Sequence, residues 1–450
     1  MTASMQSSSR RPARDTWTAL ADQGLYSATS FATTMLIARN ASVEDLGWFS
    51  AGISLLITAV GFMGSLVAIP LMLSIQGSTP CDRANELTGG LGASAALAGI
   101  VAGGMLLAIP VLTLWHGRPP QLDTWLLVMA AVVIPMVVRE FGRQMAFAQH
   151  GLPGLGLMDL AYSAAALGGL SMLAHSGHLN ANRGLAVVGG AALISVLIWG
   201  IATRPSFRLT AIAATPGFLR THLRTSQWLI GASVLYACSI SAVPWLLGLL
   251  ATSTSVGIFA ASAVIAGVLN PLLMVGSNLT APRTARAAVS NEKRAVRQVA
   301  VTASAILGSA LAVVGIGLGL GQTILMPLML GRHIHTMPSV LWLLVASVVF
   351  EALGLGAFWG LHSTGQSRLA FWARAAAVVV ALPVGALGIL RFGVLGAAGL
   401  MLGLRALNAA FNWILFLGWA RPREALTAKL AGATPADERS LVPLGADGAQ

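Results

Sequence analysis

Four ionisable side chains stand inside long apolar stretches of this chain: Asp22, Asp159, Glu351 and Arg405. At bilayer depth each would cost about 2.5 to 3.5 kcal/mol even on the lenient insertion scale, so each needs a partner or a task. Glu351 and Arg405 lie at similar depth, roughly 16 to 18 Å from the start of their stretches at about 1.5 Å per residue. That depth permits a buried ion pair, serving either helix packing or transport. Asp22 and Asp159 lie shallower, about 6 to 8 Å in. Asp22, Gln23 and Tyr26 share one helix face, because residues three and four apart are neighbours, and form a stripe suited to a water-filled cavity. Arg139 and Arg143, four apart, precede Asp159 across a turn, so a charge cluster paired near the membrane surface is expected there.

The elements that hold these residues follow from composition. The chain has 450 residues, 56% hydrophobic and 9% charged, against about 25% charged in a soluble domain. Apolar runs of about 20 residues, enough to cross a bilayer, recur from Trp17 to Ala420. They predict an all-α polytopic membrane protein with spans near 17–38, 46–73, 87–113, 122–138, 155–174, 184–202, 226–250, 254–279, 298–320, 339–361, 369–390 and 394–420. The net charge of +12 is dealt out between spans and not gathered into a nucleic-acid patch. Of the 27 basic residues, 21 fall on one side of the predicted bilayer, and only Arg39, Arg118, Arg183, Arg332 and Arg391 fall in loops on the other. Positive residues in short loops resist translocation, so both termini are expected in the cytoplasm. The basic start before Trp17 has the look of an export signal, but Asp22, Gln23 and the length of the run favour an uncleaved first span.

Several chemistries are excluded. Lys293 and Lys429 follow Glu292 and Ala428, so neither belongs to a Gly-Lys-Ser/Thr nucleotide loop. Cys81 and Cys238 are too few for a thiolate zinc site or a disulfide framework. His175 with His178 and His333 with His335 lack a carboxylate or thiol to complete a ligand set, and no histidine pair sits at mid-depth for a haem. No cofactor or metal is expected.

The connection 203–225 divides the spans six and six. Leu46-Gly47-Trp48-Phe49-Ser50-Ala51 and Val256-Gly257-Ile258-Phe259-Ala260-Ala261 echo one another at the openings of the second and eighth spans. The expected units are a cytoplasmic tail 1–16, a six-helix bundle 17–215, a second bundle 216–420 and a cytoplasmic tail 421–450. Transporters are often two such halves with substrate passing between them. The 50 glycines and the intramembrane Pro70, Pro110, Pro135, Pro244, Pro271 and Pro383 supply close packing and kink points.

The run Leu20-Ala21-Asp22-Gln23-Gly24-Leu25-Tyr26-Ser27-Ala28-Thr29-Ser30-Phe31, continuing to Arg39 and Leu46-Gly47-Trp48-Phe49, resembles the opening of bacterial polysaccharide transporters. These belong to the multidrug/oligosaccharidyl-lipid/polysaccharide (MOP) exporter superfamily, with the O-antigen flippases and the MATE drug exporters. Arg139-Glu140-Phe141-Gly142-Arg143 through His150-Gly151 and Leu157-Met158-Asp159-Leu160 resembles the same branch, although Leu152-Pro153 stands where a basic residue usually follows the glycine. The resemblance implies a MATE-like fold of two bundles around a cavity that faces the two sides in turn. It implies a carrier, not an enzyme, that moves undecaprenyl-pyrophosphate-linked sugars across the bacterial inner membrane for surface polysaccharide synthesis. The bilayer and the sugar lipid would be its partners, with a polymerase and glycosyltransferases nearby. A pyrophosphate favours forked guanidinium donors, so Arg405, Arg374 and Arg39 are candidate headgroup contacts. Two other readings stay open. A cation-coupled drug exporter would use Asp22 and Glu351; a membrane-embedded glycosyltransferase would need larger outer loops than 114–121 and 321–338.

Overall fold

A computed structural model describes residues 10–68, 71, 80–112, 121–148, 152–203, 215–289, 293–330 and 337–419, and among them every regular element is a helix. In chain order these are α1 (Arg10–Asn40), α2 (Val43–Met63, ending in a π turn, Gly64–Ala68), α3 (Pro80–Leu112), α4 (Leu122–Ala148), α5 (Leu152–His175), α6 (Ala181–Thr203), α7 (Thr215–Leu250) and α8 (Ser253–Ala266). After a 3-10 turn, Gly267–Leu269, come α9 (Asn270–Val289), α10 (Lys293–Leu320), α11 (Gln322–Leu330), α12 (Pro338–Ser363), α13 (Ser367–Phe392) and α14 (Val394–Trp419). Among the described residues, ten stretches are long and apolar enough to span a membrane. The chain is therefore a multi-pass membrane protein. The other two predicted spans, 17–38 and 226–250, coincide with α1 and with α7, whose apolar part is Val234–Leu250.

The structure adds to or corrects the sequence reading in four places. Helix α1 begins at Arg10, ahead of the predicted span 17–38; Pro12 sits in its first turn, where a missing N–H costs nothing. Helix α4 runs to Ala148, so Arg139 and Arg143 are helical and buried instead of lying in a surface turn. The predicted span 254–279 falls within one apolar stretch, Ser253–Ala288, that contains the 3-10 turn Gly267–Leu269, and Pro271 opens the first turn of α9, which continues to Val289. The expected loop 321–338 contains α11, built on the apolar run Ile324 to Leu330. Helices α3, α4, α7 and α13 stay continuous through Pro110, Pro135, Pro244 and Pro383. The C-terminal tail, Pro70, His333 and His335 lie outside the described residues.

Packing repeats between the halves. In the first half α1 lies on α5, α5 on α6, α6 on α4 and α4 on α3; in the second α7 lies on α13, α13 on α14, α14 on α12 and α12 on α10. The halves meet chiefly where α2 packs on α7 and α8. The repeat reaches individual residues. Ser42 caps α2 by accepting from the Asp45 N–H at 3.0 Å, and Thr252 caps α8 by accepting from the Ser255 N–H at 3.1 Å. A side chain on Gly47 would strike the Ser253 carbonyl, and one on Gly257 would strike the Val43 carbonyl. The sequence echo is thus a close crossing of α2 over α8, each glycine receiving the first turn of the other helix.

Candidate functional site

Among the described residues, two arginine clusters and a central cavity stand out in the interior. In the first half Arg139 and Arg143 project from α4 toward α1 and α5. Asp159 accepts from Arg139 Nη2 through Oδ1 and from Arg143 Nε at 2.7 Å through Oδ2. Arg143 Nη2 also donates to Asp22 Oδ2 at 3.1 Å, and Glu140 lies 3.7 Å from Arg143 Nη1. The guanidinium of Arg139 stacks on Tyr162 at 3.9 Å and that of Arg143 on Tyr26 at 4.4 Å. Beneath them the Thr29 and Ser163 hydroxyls are bonded at 2.7 Å, and Ser163 donates to the Asp159 carbonyl. Asp22, Arg139, Arg143 and Asp159 are all buried. Burial of two guanidinium groups is tolerated because carboxylates and aromatic faces replace their water.

The second-half cluster joins α7, α12, α13 and α14. Arg405 Nε lies 3.0 Å from Glu351 Oε2, the pair expected from equal depth. The alignment is poor, however. Glu351 Oε2, Arg405 Nε and Arg405 Nη1 have no hydrogen-bond partner among the described residues. Glu351 Oε1 accepts from the Tyr236 hydroxyl at 3.0 Å. Arg374 stacks on Tyr236 at 4.5 Å and reaches Asn408 Oδ1 only at 3.4 Å. Helix α12 can approach α14 this closely because Gly354 faces the backbone of Ala409 and Gly360 faces the ring of Phe416. A cavity of about 20 Å³ lies among Tyr236, Glu351, Arg374, Arg405 and Asn408.

The central cavity, about 460 Å³, lies between the halves below the Gly47/Gly257 crossing. Helices α1, α2, α7, α8, α9, α12 and α14 supply its walls, which mix Phe31, Phe49, Phe259 and aliphatic groups with hydroxyls such as Ser30, Ser50, Ser54 and Ser347. Arg405 is the one charged side chain among its described lining residues, and Tyr26 also reaches it. Above it, Glu44 Oε1 accepts from Ser253 at 3.3 Å and from Gln121 at 3.2 Å, and Trp125 packs tilted on Trp48 and edge to face on Trp245 across the interface.

Of the residues singled out from sequence, Tyr26 and Arg405 line the central cavity, and Glu351 and Arg374 line the small one beside it. Asp22 is bound into the first-half cluster and is not among the cavity-lining residues. The side chain of Gln23 lies outside what is described. Arg39 donates to the Leu328 carbonyl of α11 at the end of the bundle, away from the cavity. Sequence reasoning missed Tyr162, Tyr236 and Asn408. A signal was present: the chain has three tyrosines, and each packs on an arginine of one cluster.

The arrangement of helices has solved counterparts. An inward-facing multidrug resistance MATE family transporter of the MOP superfamily superposes with a TM-score of 0.71 at 14% identity, covering 92% of this chain and 96% of that one. The fold is MATE-like. An outward-facing MATE transporter of the same superfamily gives 0.58 at 15% identity, covering 90% and 94%. The lipid II flippase MurJ, in an inward closed conformation, gives 0.66 at 11% identity, covering 89% and 87%. No family model and no curated protein sequence matches the chain.

Proposed function

We propose that this chain carries lipid-linked oligosaccharide or polysaccharide units, on an undecaprenyl-pyrophosphate anchor, across the bacterial inner membrane by alternating access between its two halves. The MATE-like fold is shared by multidrug transporters and a lipid II flippase, so the fold alone does not choose a cargo. The observation that carries this reading is the central cavity, whose wall combines hydroxyls suited to sugars with a single charged group, the Arg405 guanidinium. A guanidinium offers a phosphate paired donors. A cation-coupled exporter needs a carboxylate available to its cavity. Here Asp22 is engaged by Arg143, and Glu351 by Tyr236 and Arg405.

In this reading residues 17–215 and 216–420 move as two bundles, with tails 1–16 and 421–450 in the cytoplasm and the polymerase and glycosyltransferases of the same pathway as neighbours. Deleting the gene should make sugar lipids accumulate on the cytoplasmic leaflet. Unchanged sugar lipids with altered dye efflux would instead support the drug exporter, and arrested sugar-chain elongation an enzyme. Reporter fusions after Arg286 should read cytoplasm and fusions near Arg332 periplasm; the reverse would overturn the topology.

A further inference from the structure

We infer that Glu351 is an internal stand-in for the substrate's phosphate: it holds Arg405 while the central cavity is free of anion and gives Arg405 up when a pyrophosphate headgroup arrives. This rests on the lipid-linked pyrophosphate reading above and adds to it a competitor built into the same site.

Three observations carry it. First, charge is unbalanced. Arg374 and Arg405 face the single carboxylate of Glu351, whereas Arg139 and Arg143 face Asp22, Glu140 and Asp159. The second-half cluster has room for one more negative charge. Second, the Glu351–Arg405 contact is close but misaligned, leaving Glu351 Oε2 and two guanidinium nitrogens without hydrogen bonds. An aligned, forked phosphate contact would satisfy donors that the present pair leaves idle. Third, Arg405 lines both cavities, whereas Glu351 lines only the small one. Arg405 is thus reachable from the central space, and its present partner sits behind it.

The exchange leaves no charge stranded. Glu351 keeps the Tyr236 hydroxyl on Oε1. Arg374, already stacked on the same tyrosine and weakly bonded to Asn408, is the cation beside it. The small cavity, about 20 Å³, gives about one water molecule's worth of slack. Headgroup binding at α14 would thereby be felt on α12 and α13, the helices that carry Glu351 and Arg374.

The test is the affinity of the purified full-length protein for farnesyl pyrophosphate, with farnesol as the uncharged control. A competitor that occupies Arg405 nine-tenths of the time lowers apparent affinity about tenfold. Glu351→Gln should therefore bind farnesyl pyrophosphate about tenfold more tightly than the parent while transporting sugar lipid more slowly, and farnesol binding should not change. Glu351→Asp, whose carboxylate is set back by one methylene, should tighten binding by a smaller factor and serves if the glutamine variant folds poorly. Arg405→Met should abolish the difference between pyrophosphate and alcohol. Equal or weaker binding by both folded Glu351 variants, or no pyrophosphate preference in the parent, would overturn the exchange. A sugar-lipid accumulation phenotype alongside either result would leave the flippase reading standing; absence of that phenotype would remove the flippase reading itself.

Discussion

Asp159 on α5 and Glu351 on α12 each hold arginines inside an apolar bundle, in corresponding regions of the two halves, yet their surroundings differ. Asp159 is 1% exposed and receives bonds from two arginines that are themselves covered by tyrosine rings. Glu351 and Arg405 are each 15% exposed, touch without alignment and stand beside the central cavity. The first-half cluster, with both oxygens of Asp159 bonded, ties α1, α4 and α5 together; Asp22 Oδ1 and Arg139 Nε stay without hydrogen bonds among the described residues, but neither residue lines the central cavity. The second-half cluster has the opposite charge balance and reaches the cavity through Arg405, which in the proposed reading keeps binding capacity in reserve. On the proposed function, the halves divide the work between scaffold and site.

The sharpest way to break this comparison is to remove the shared carboxylates. Asp159→Asn leaves two guanidinium groups buried without their common acceptor and should cost about 3 to 5 kcal/mol, read as loss of folded protein and a lower melting temperature in detergent. If it is as stable as the parent, the scaffold role is wrong. Next in size are Gly47→Val and Gly257→Val. Each forces a side chain into the opposite helix's first turn at an overpacking cost of about 1 to 3 kcal/mol. The two variants should behave alike, both exposing a cysteine at Ser54 to an impermeant maleimide from the far side once Cys81 and Cys238 are serine. Unequal labelling would break the symmetry of the crossing. Glu351→Gln removes the acceptor of one guanidinium and not two and keeps the Tyr236 hydroxyl within reach, so it should cost less than Asp159→Asn and retain the fold that Asp159→Asn loses. Smallest is Thr29→Val, which removes the hydroxyl pair with Ser163 and should lower stability by about 0.5 to 1.5 kcal/mol without changing substrate affinity.

Much of this was legible in the sequence because membrane burial is costly. The apolar runs marked the helices, and the Glu351–Arg405 pair followed from two lone charges at one depth. The echo around Gly47 and Gly257 marked the division into halves, and the structure places both glycines at the crossing between them. The depth of Arg139 and Arg143 was not legible. Charge alone reads as loop, and their burial depends on Tyr162 from the next helix and Tyr26 from the first. Nor does spacing reveal that Asp22 faces Arg143 and not the cavity, since both faces of α1 carry polar groups near that depth. The idle hydrogen-bonding atoms of Arg405 are a matter of angle, which no sequence pattern encodes.

The central claim is that a headgroup crosses through the cavity by way of Arg405. Its most direct test is translocation of a pyrophosphate-linked sugar lipid in proteoliposomes containing the purified full chain. The parent should deliver sugar to an external lectin faster than protein-free vesicles, and folded Arg405→Met should run at the protein-free rate. A parent no faster than bare vesicles, or an Arg405→Met protein as fast as the parent, would contradict the account.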